Sequence, residues 1–508
     1  MKKHFKQTFS LIMSLIMIMS MFTCLEISSV AEDDILNYLT YEINDGEVTI
    51  TDCDESISGD VVVPDTIKGY SVKSFRDHAF AYCKNITAIT IPASVTSIGD
   101  YIFNYCTSLQ KITVDKDNKS FTSDDSGVLF NKDKTKLIGY PKGNTRTEYV
   151  IPNGVITIGL YAFARSLNLT KIIIPDSVTT IGDGAFEGCK KLAEITIPQG
   201  VTSIGFSVFA LCSNLTEIIL PEGLTSIGMS AFAACKNLNN ISIPDSVQFF
   251  EESVFAECTN LTSITIPDGI TSINASLFER CSNLTEVVIP DSVTTIGLAA
   301  FENCKNIESI TLPDKIVFID NFVFAACENL KNITIPPNTE IIGFNAFSYC
   351  NNLESITFLS TDCNFEQAAI PADTIIYGYP GSTAESYASA SGNPFIALEG
   401  EPPSKDPTVE LPVSDKLEVI GDTIIIEEYM KVSIVKTKST AADVIGAVKN
   451  EKFSIVDKNG NAFSNDALVG TGAMIQIEDN KGNIISTYTI LVRNDIDGNG
   501  KTTAADAR

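Results

Sequence analysis

Cys212-Ser-Asn-Leu215-Thr-Glu-Ile218-Ile-Leu220-Pro221-Glu-Gly-Leu224-Thr-Ser-Ile227-Gly228, followed by Ala231-Phe232, is one copy of a unit that recurs every 23 residues. Cys stands at 189, 212, 235, 258, 281, 304, 327 and 350, and Cys83 and Cys106 keep the same step. A Phe precedes each by three, from Phe80 and Phe103 to Phe186 and onward to Phe347. Phe163 keeps this register with Ser166 in the Cys place, which makes eleven copies. Leu215, Ile218 and Leu220 are the apolar positions of a strand, and Pro221, lacking an N–H for the next ladder bond, ends it. Leu224 and Ile227 carry the chain back across the core. Gly228, with equivalents at Gly99, Gly159, Gly182, Gly205, Gly297 and Gly343, is expected to permit a tight backbone turn. Ala231 and Phe232 fill the far side. No single coil can bury these residues, so neighbours must stack as one parallel-stranded solenoid.

The pattern L-x-x-I-x-I-P-x-x-V-x-x-I-x-x-x-A-F-x-x-C resembles the BspA-like leucine-rich repeat family of bacterial surface proteins over about residues 60–395. The resemblance implies a leucine-rich-repeat solenoid of stacked parallel strands, mostly β, with residues 32–59 as an N-terminal cap. From Cys106 to Ser166 the step is 60 residues, one repeat plus 37. The slip lies at about 114–150 and contains Ser126-Gly-Val-Leu-Phe-Asn-Lys-Asp-Lys-Thr-Lys-Leu-Ile-Gly-Tyr-Pro141, read as a β-hairpin excursion of the kind the family carries. Residues 374–395, with Ile375-Ile-Tyr-Gly-Tyr-Pro-Gly-Ser382, resemble the family's closing cap.

Lys2, Lys3 and Lys6, an apolar run from Phe9 to Leu25 and Ser29-Val30-Ala31 form a signal peptide over residues 1–31, so no membrane insertion is expected after cleavage. Export usually makes cysteines into disulfides. Here ten of the twelve cysteines beyond the leader share one rung position, and only Cys53 and Cys363 lie outside it. Their nearest equivalents are one coil away, about 4.8 Å by strand spacing. Pairing them two by two would break the repeat, so buried free thiols acting as small apolar fillers are the better reading.

The chain holds 36 basic against 63 acidic residues, a net charge of −27, which disfavours nucleic acid and anionic membranes. Trp is absent and the only histidines are His4 and His78, which removes most His-based catalysis and nearly every zinc site.

Residues 396–414 are Pro-rich and charged, hence a linker. Residues 415–493 alternate again in Thr423-Ile-Ile-Ile, Lys431-Val-Ser-Ile-Val and Phe453-Ser-Ile-Val, with a helix expected over Ala441–Val448 and hairpin turns at Asp457–Gly460 and Asn480–Gly482. This small α+β module resembles the spacers that precede dockerins in cellulosome-type proteins. In residues 494–508, Asp495, Asp497, Asn499, Lys501 (through its carbonyl), Thr503 and Asp506 stand where an EF-hand-type loop places its oxygen ligands, with Gly500 at the turn. The loop is similar to the first loop of a type I dockerin, which implies Ca²⁺ as cofactor and a cohesin as partner. Because the second loop does not follow before Arg508, a partial dockerin with weak calcium binding and no tight cohesin complex is expected.

On the repeats, the exposed strand positions Thr216, Glu217, Asn239, Asn240, Thr262, Ser263, Thr285 and Glu286 are small and polar, without an aromatic ladder for sugars. They point to a protein partner on the solenoid face. The leading reading is therefore a secreted, non-catalytic binding or adhesion protein, with the dockerin for attachment to a cohesin scaffold. The alternatives are a cellulosome-associated carbohydrate-active enzyme or polysaccharide-degradation component, for which no catalytic constellation stands out, and a rigid spacer. The Asn-x-Thr triplets at Asn168, Asn214, Asn260, Asn283 and Asn332 recur because the repeat recurs, so their reading is structural rather than as glycan acceptors.

Overall fold

The computed structural model describes residues 35–365 and 368–406, and the backbone of five further strands between Ile424 and Val492. The fold is a mostly-β parallel solenoid. Most units form one coil with two short strands, such as Glu217–Ile219 before Pro221 and Ser226–Ile227 before Gly228. Strands of successive coils pair in parallel with a 23-residue offset: Glu194↔Glu217, Ile195↔Ile218, Thr196↔Ile219, and Ser203↔Ser226. Alternation follows burial. Ile218 is buried while Glu217 and Ile219 face out.

Contacts divide the described residues into two compact units. In the first (up to Ile270, with Leu277–Pro290 and Asn303–Ile310), Glu148–Val150, Lys171–Ile173, Glu194–Thr196 and Glu217–Ile219 form one parallel sheet. In the second (Thr271–Ser276, Asp291–Glu302 and from Thr311 on), Ser272–Ile273, Thr295–Ile296, Phe318–Ile319 and Ile341–Ile342 form another.

The core is made of columns. The rings of Phe163, Phe186, Phe209, Phe232, Phe255 and Phe278 stack at 5.3–5.7 Å between centroids in the first unit. Phe301, Phe324 and Phe347 do so at 5.7 Å in the second. All twelve cysteines among the described residues are buried free thiols. A reason for sulfur at this rung is visible: from Cys106 onward each rung Sγ meets the carbonyl of the Phe 26 residues earlier, as in Cys212 to Phe186 at 3.2 Å and Cys235 to Phe209 at 3.1 Å, while Cys83 at the start of the column meets the Cys53 carbonyl instead. The thiol is therefore a small apolar filler that also donates weakly to a buried carbonyl.

The repeat glycine has a different task from the one its sequence position suggests. Gly228 does not adopt a positive φ. A Cβ there would lie 2.7 Å from the carbonyl carbon of Gly205, so the residue permits close approach of neighbouring coils. The left-handed conformations come two and six residues later, at Ser230 (φ 56°) and Ala234 (φ 57°). They are held by a third ladder, with Ser230, Phe232 and Ala234 N–H groups donating to Glu252, Val254 and Ala256 at 2.7–3.0 Å.

The slip in the repeat resolves into a hairpin and a further coil. Phe121–Ser123 and Leu129–Asn131 pair antiparallel, and Lys136–Gly139 pairs antiparallel with the latter but parallel with Thr157–Ile158. Buried Asn118 anchors the excursion, accepting from Ser120 and Phe121 N–H and donating to the Pro92 and Val95 carbonyls at 2.8–2.9 Å. Tyr140 then stacks on Phe163 at 5.3 Å, in the Phe column, and Gly143 holds the Cys place. The segment 140–150 is thus a coil, and the excursion is confined to the residues before it.

At the ends, Leu39–Asn44 and Glu47–Cys53 form an antiparallel hairpin. Ile375–Gly378 and Phe395–Ala397 pair in parallel across the helix Thr383–Ser391. That helix is capped at its start: Glu385 N–H donates to the Ser382 hydroxyl at 3.4 Å, and the Glu385 carboxylate accepts from the Gly381 N–H, one residue before the cap, at 2.7 Å. Further on, Ile424–Glu427, Val432–Val435, Ile484–Val492, Met474–Glu478 and Phe453–Val456 follow one another across a mixed sheet. Val456 faces Met474 and Glu478 faces Ile484 in this sheet, and the turns expected at Asp457–Gly460 and Asn480–Gly482 fall between these strands. Those two connecting segments, the leader and the Ala441–Val448 helix lie outside the described residues.

Candidate binding surfaces

The strand face of the first unit is built by alternation. Outward positions carry Glu148, Lys171, Glu194 and Glu217 in one row and Val150, Ile173, Thr196 and Ile219 in the next, with Glu286 and Val288 on a later coil. Val150, Ile173, Ile219 and Val288 are 60, 45, 50 and 48 % exposed. Lys171 bridges Glu194 at 3.5 Å across two coils, leaving the acidic row in excess. Lys171, Ile173, Glu194, Thr196, Glu217 and Ile219 line a shallow groove of about 230 Å³.

Thr216, Glu217, Asn239, Asn240, Thr262, Thr285 and Glu286 are all exposed, as their positions in the repeat require. Their roles divide. The hydroxyls of Thr216, Thr262 and Thr285 donate to the carbonyls of Ala193, Asn239 and Thr262 at 3.0–3.2 Å, so they tie coil to coil. Asn239 and Asn240 are not in a strand, a correction that low β-propensity of consecutive Asn explains. Glu217 and Glu286 stand on strands and remain available. The apolar row was missed because only the two positions before each buried Ile were counted; the position after it, Ile219 in the quoted copy, is the one that carries apolar area. Asn214, Asn237, Asn260, Asn283 and Asn306 form an amide ladder at 3.3–3.5 Å, which gives the Asn-x-Thr positions Asn214, Asn260 and Asn283 a structural role.

A second cluster lies on the turns of the first coils, at the two positive-φ positions. His78 stacks on Tyr101 at 4.8 Å and Tyr82 on Tyr105 at 4.7 Å. Tyr101 meets Tyr161 at 4.9 Å. The Arg165 guanidinium sits 4.4 Å over the Tyr105 ring and donates to the Glu187 carboxylate at 3.2 Å. Burial, with Glu187 nearby, pushes the Tyr161 phenol up to about 12. In the His78–Tyr101 and Tyr82–Tyr105 pairs the faces cover one another, so edges and hydroxyls are presented rather than flat sugar platforms.

Asp495, Asp497, Asn499, Lys501, Thr503 and Asp506 lie outside the described residues. Among the described residues, no cluster of three His, Cys, Asp or Glu side chains could hold a metal ion, and no helix is long and apolar enough to cross a membrane.

Stacked parallel coils with an L-x-x-L-x-L strand define a leucine-rich repeat solenoid. Residues 65–146, 142–262 and 250–371 match the BspA type leucine rich repeat region, in six copies, and the chain belongs to this family. It is similar to a leucine-rich repeat protein from Bacteroides ovatus, with 26 % identity over 71 % of this chain and 98 % of that one and a TM-score of 0.45. A leucine rich cell surface protein from Faecalibacterium prausnitzii shares 26 % identity over 63 % of this chain and 93 % of that one, TM-score 0.38. A leucine-rich repeat protein from Eubacterium ventriosum shares 25 % over 62 % and 93 %, TM-score 0.32. No curated protein matches the chain.

Proposed function

We propose that this is an exported, non-catalytic surface protein that binds a protein partner through the strand face of its first unit. The observation that carries the reading is the exposed Val150, Ile173, Ile219 and Val288 row beside Glu148, Glu194 and Glu217. Apolar area beside a row in which acidic residues outnumber the single Lys171 suits a partner segment with apolar anchors and basic neighbours. Membership of a repeat family built to present a continuous face supports it, and the basic-apolar leader supports export. The loop at Asp495–Asp506 is proposed to take Ca²⁺ weakly as a partial dockerin-like element, with a cohesin as partner only where a second such loop completes it. The test uses the full chain and an Ile173→Asp, Ile219→Asp variant against fractionated surface and secreted proteins. A partner retained by the parent and released by the variant, with unchanged thermal stability, is expected. Retention of every captured protein by the variant would refute the assignment of this face.

A further inference from the structure

The repeat breaks in one place, and a charge is buried there. Lys142 immediately precedes Gly143, the residue in the Cys place of the coil after the hairpin; the corresponding positions of the next coils are Arg165, Gly188 and Leu211. Arg165 lies partly exposed over Tyr105, whereas Lys142 is turned inward and only 5 % exposed. Its Nζ donates to the carbonyls of Tyr161 at 2.7 Å and Ala162 at 3.1 Å. An ammonium has three N–H groups, so one donor and the whole positive charge are left over. Among the described residues no carboxylate lies within ion-pair distance of it. A buried unpaired cation is costly, and burial holds this amine down to about 8.

Lys142 also lines a cavity of about 180 Å³. Tyr101, Phe103, Phe121 and Tyr161 supply ring surface, and Asn104 and Asn131 supply amides. The cavity exists because the hairpin displaces one turn of the column, bringing Tyr101 within 4.9 Å of Tyr161 across 60 residues of sequence. A pocket of about 150 Å³ accepts a six-membered ring. The wall therefore offers apolar area, the Asn104 amide and an ammonium without an ion-pair partner, the Asn131 amide being held by Thr135 and the Lys136 N–H.

We propose that this cavity binds a small organic carboxylate carried on a six-membered ring, with Lys142 as the group that recognises the anion. The two sources of that chemistry are a uronic acid and an aromatic carboxylate. The strand face plays no part in this site, so failure here leaves the protein-partner reading untouched.

The test is calorimetric titration of the full chain with glucuronate, benzoate and, as the uncharged control, glucose. One carboxylate should bind at one per chain and glucose should not. Glucuronate binding alone identifies the sugar source, and benzoate binding alone the aromatic one. Affinity should fall about tenfold between pH 7 and pH 9 as the ammonium loses its proton, since Cys106, Cys189, Glu187 and Arg165 are the other titratable or charged groups acting on it. Lys142→Met should abolish binding. Should that variant fail to fold, protection of Lys142 in the parent protein from acylation, followed by mass spectrometry with and without the carboxylate, replaces it. No binding by either carboxylate, binding independent of pH, equal binding by Lys142→Met, or no protection of Lys142 would each overturn the proposal.

Discussion

Ser166 is the one rung of the thiol column occupied by oxygen, and its replacement by Cys should stabilise the protein. The residue is 1 % exposed, and its buried hydroxyl has no hydrogen-bond partner. On the neighbouring rungs, sulfur reaches the carbonyl 26 residues back: Cys189 to Phe163 at 3.1 Å and Cys212 to Phe186 at 3.2 Å. A buried hydroxyl without a partner costs about 1–3 kcal/mol. Sulfur removes most of that penalty, extends far enough to meet the carbonyl of Tyr140, and adds apolar contact. Ser166→Cys should therefore gain about 1–2 kcal/mol, measured as a shift in urea midpoint at constant slope under reducing conditions. The converse, Cys212→Ser, should lose about 1–3 kcal/mol, because it creates the same defect on a regular rung. A destabilised Ser166→Cys variant, or a neutral Cys212→Ser, would refute the column as the reason for these residues.

Phe232→Ala should cost about 3–5 kcal/mol, since the ring is fully buried between Phe209 and Phe255, each 5.6 Å away. Hydrogen exchange should show the loss spreading to adjoining coils, and damage confined to residues 229–235 would contradict the stacked-coil energetics. Burial pushes the thiols of Cys189, Cys258, Cys350 and Cys363 from 9.0 up to about 12. An acid whose folded pKa is raised stabilises fully below its unfolded value, and that stability is lost as pH rises through the folded value. Stability should fall between pH 9 and 12, at about 1.4 kcal/mol per pH unit for each thiol; a flat denaturation midpoint from pH 8 to 11 would be inconsistent with buried thiols. Calcium titration of the full chain should give a dissociation constant of about millimolar for a single loop of this type, lost in Asp497→Ala. Submicromolar binding would show the loop to be better organised than its sequence suggests.

The Phe and Cys columns were legible because both markers recur at a fixed step, and stacking follows from one coil's inability to bury them. The coil at 140–150 was not, because Tyr140 and Gly143 replace both markers at once. Gly228 was read through its own backbone freedom, whereas its reason lies in Gly205 of the preceding coil, a contact no single repeat contains. Ile219 was hidden for a simpler reason: an exposed β-branched residue between two buried ones looks like core in a list of apolar positions. Lys142 and the Tyr101–Tyr161 contact depend on how much chain the hairpin removes from the ladder. Only the register of Lys136–Gly139 against Thr157–Ile158 fixes that.

Hydrogen exchange of the full chain, free and bound to the partner isolated through it, tests binding by the strand face most directly. Protection should appear on Lys171–Ile173, Glu194–Thr196 and Glu217–Ile219 and leave the turns around His78 and Tyr105 unchanged. Protection confined to those turns, or to residues beyond 400, would contradict it.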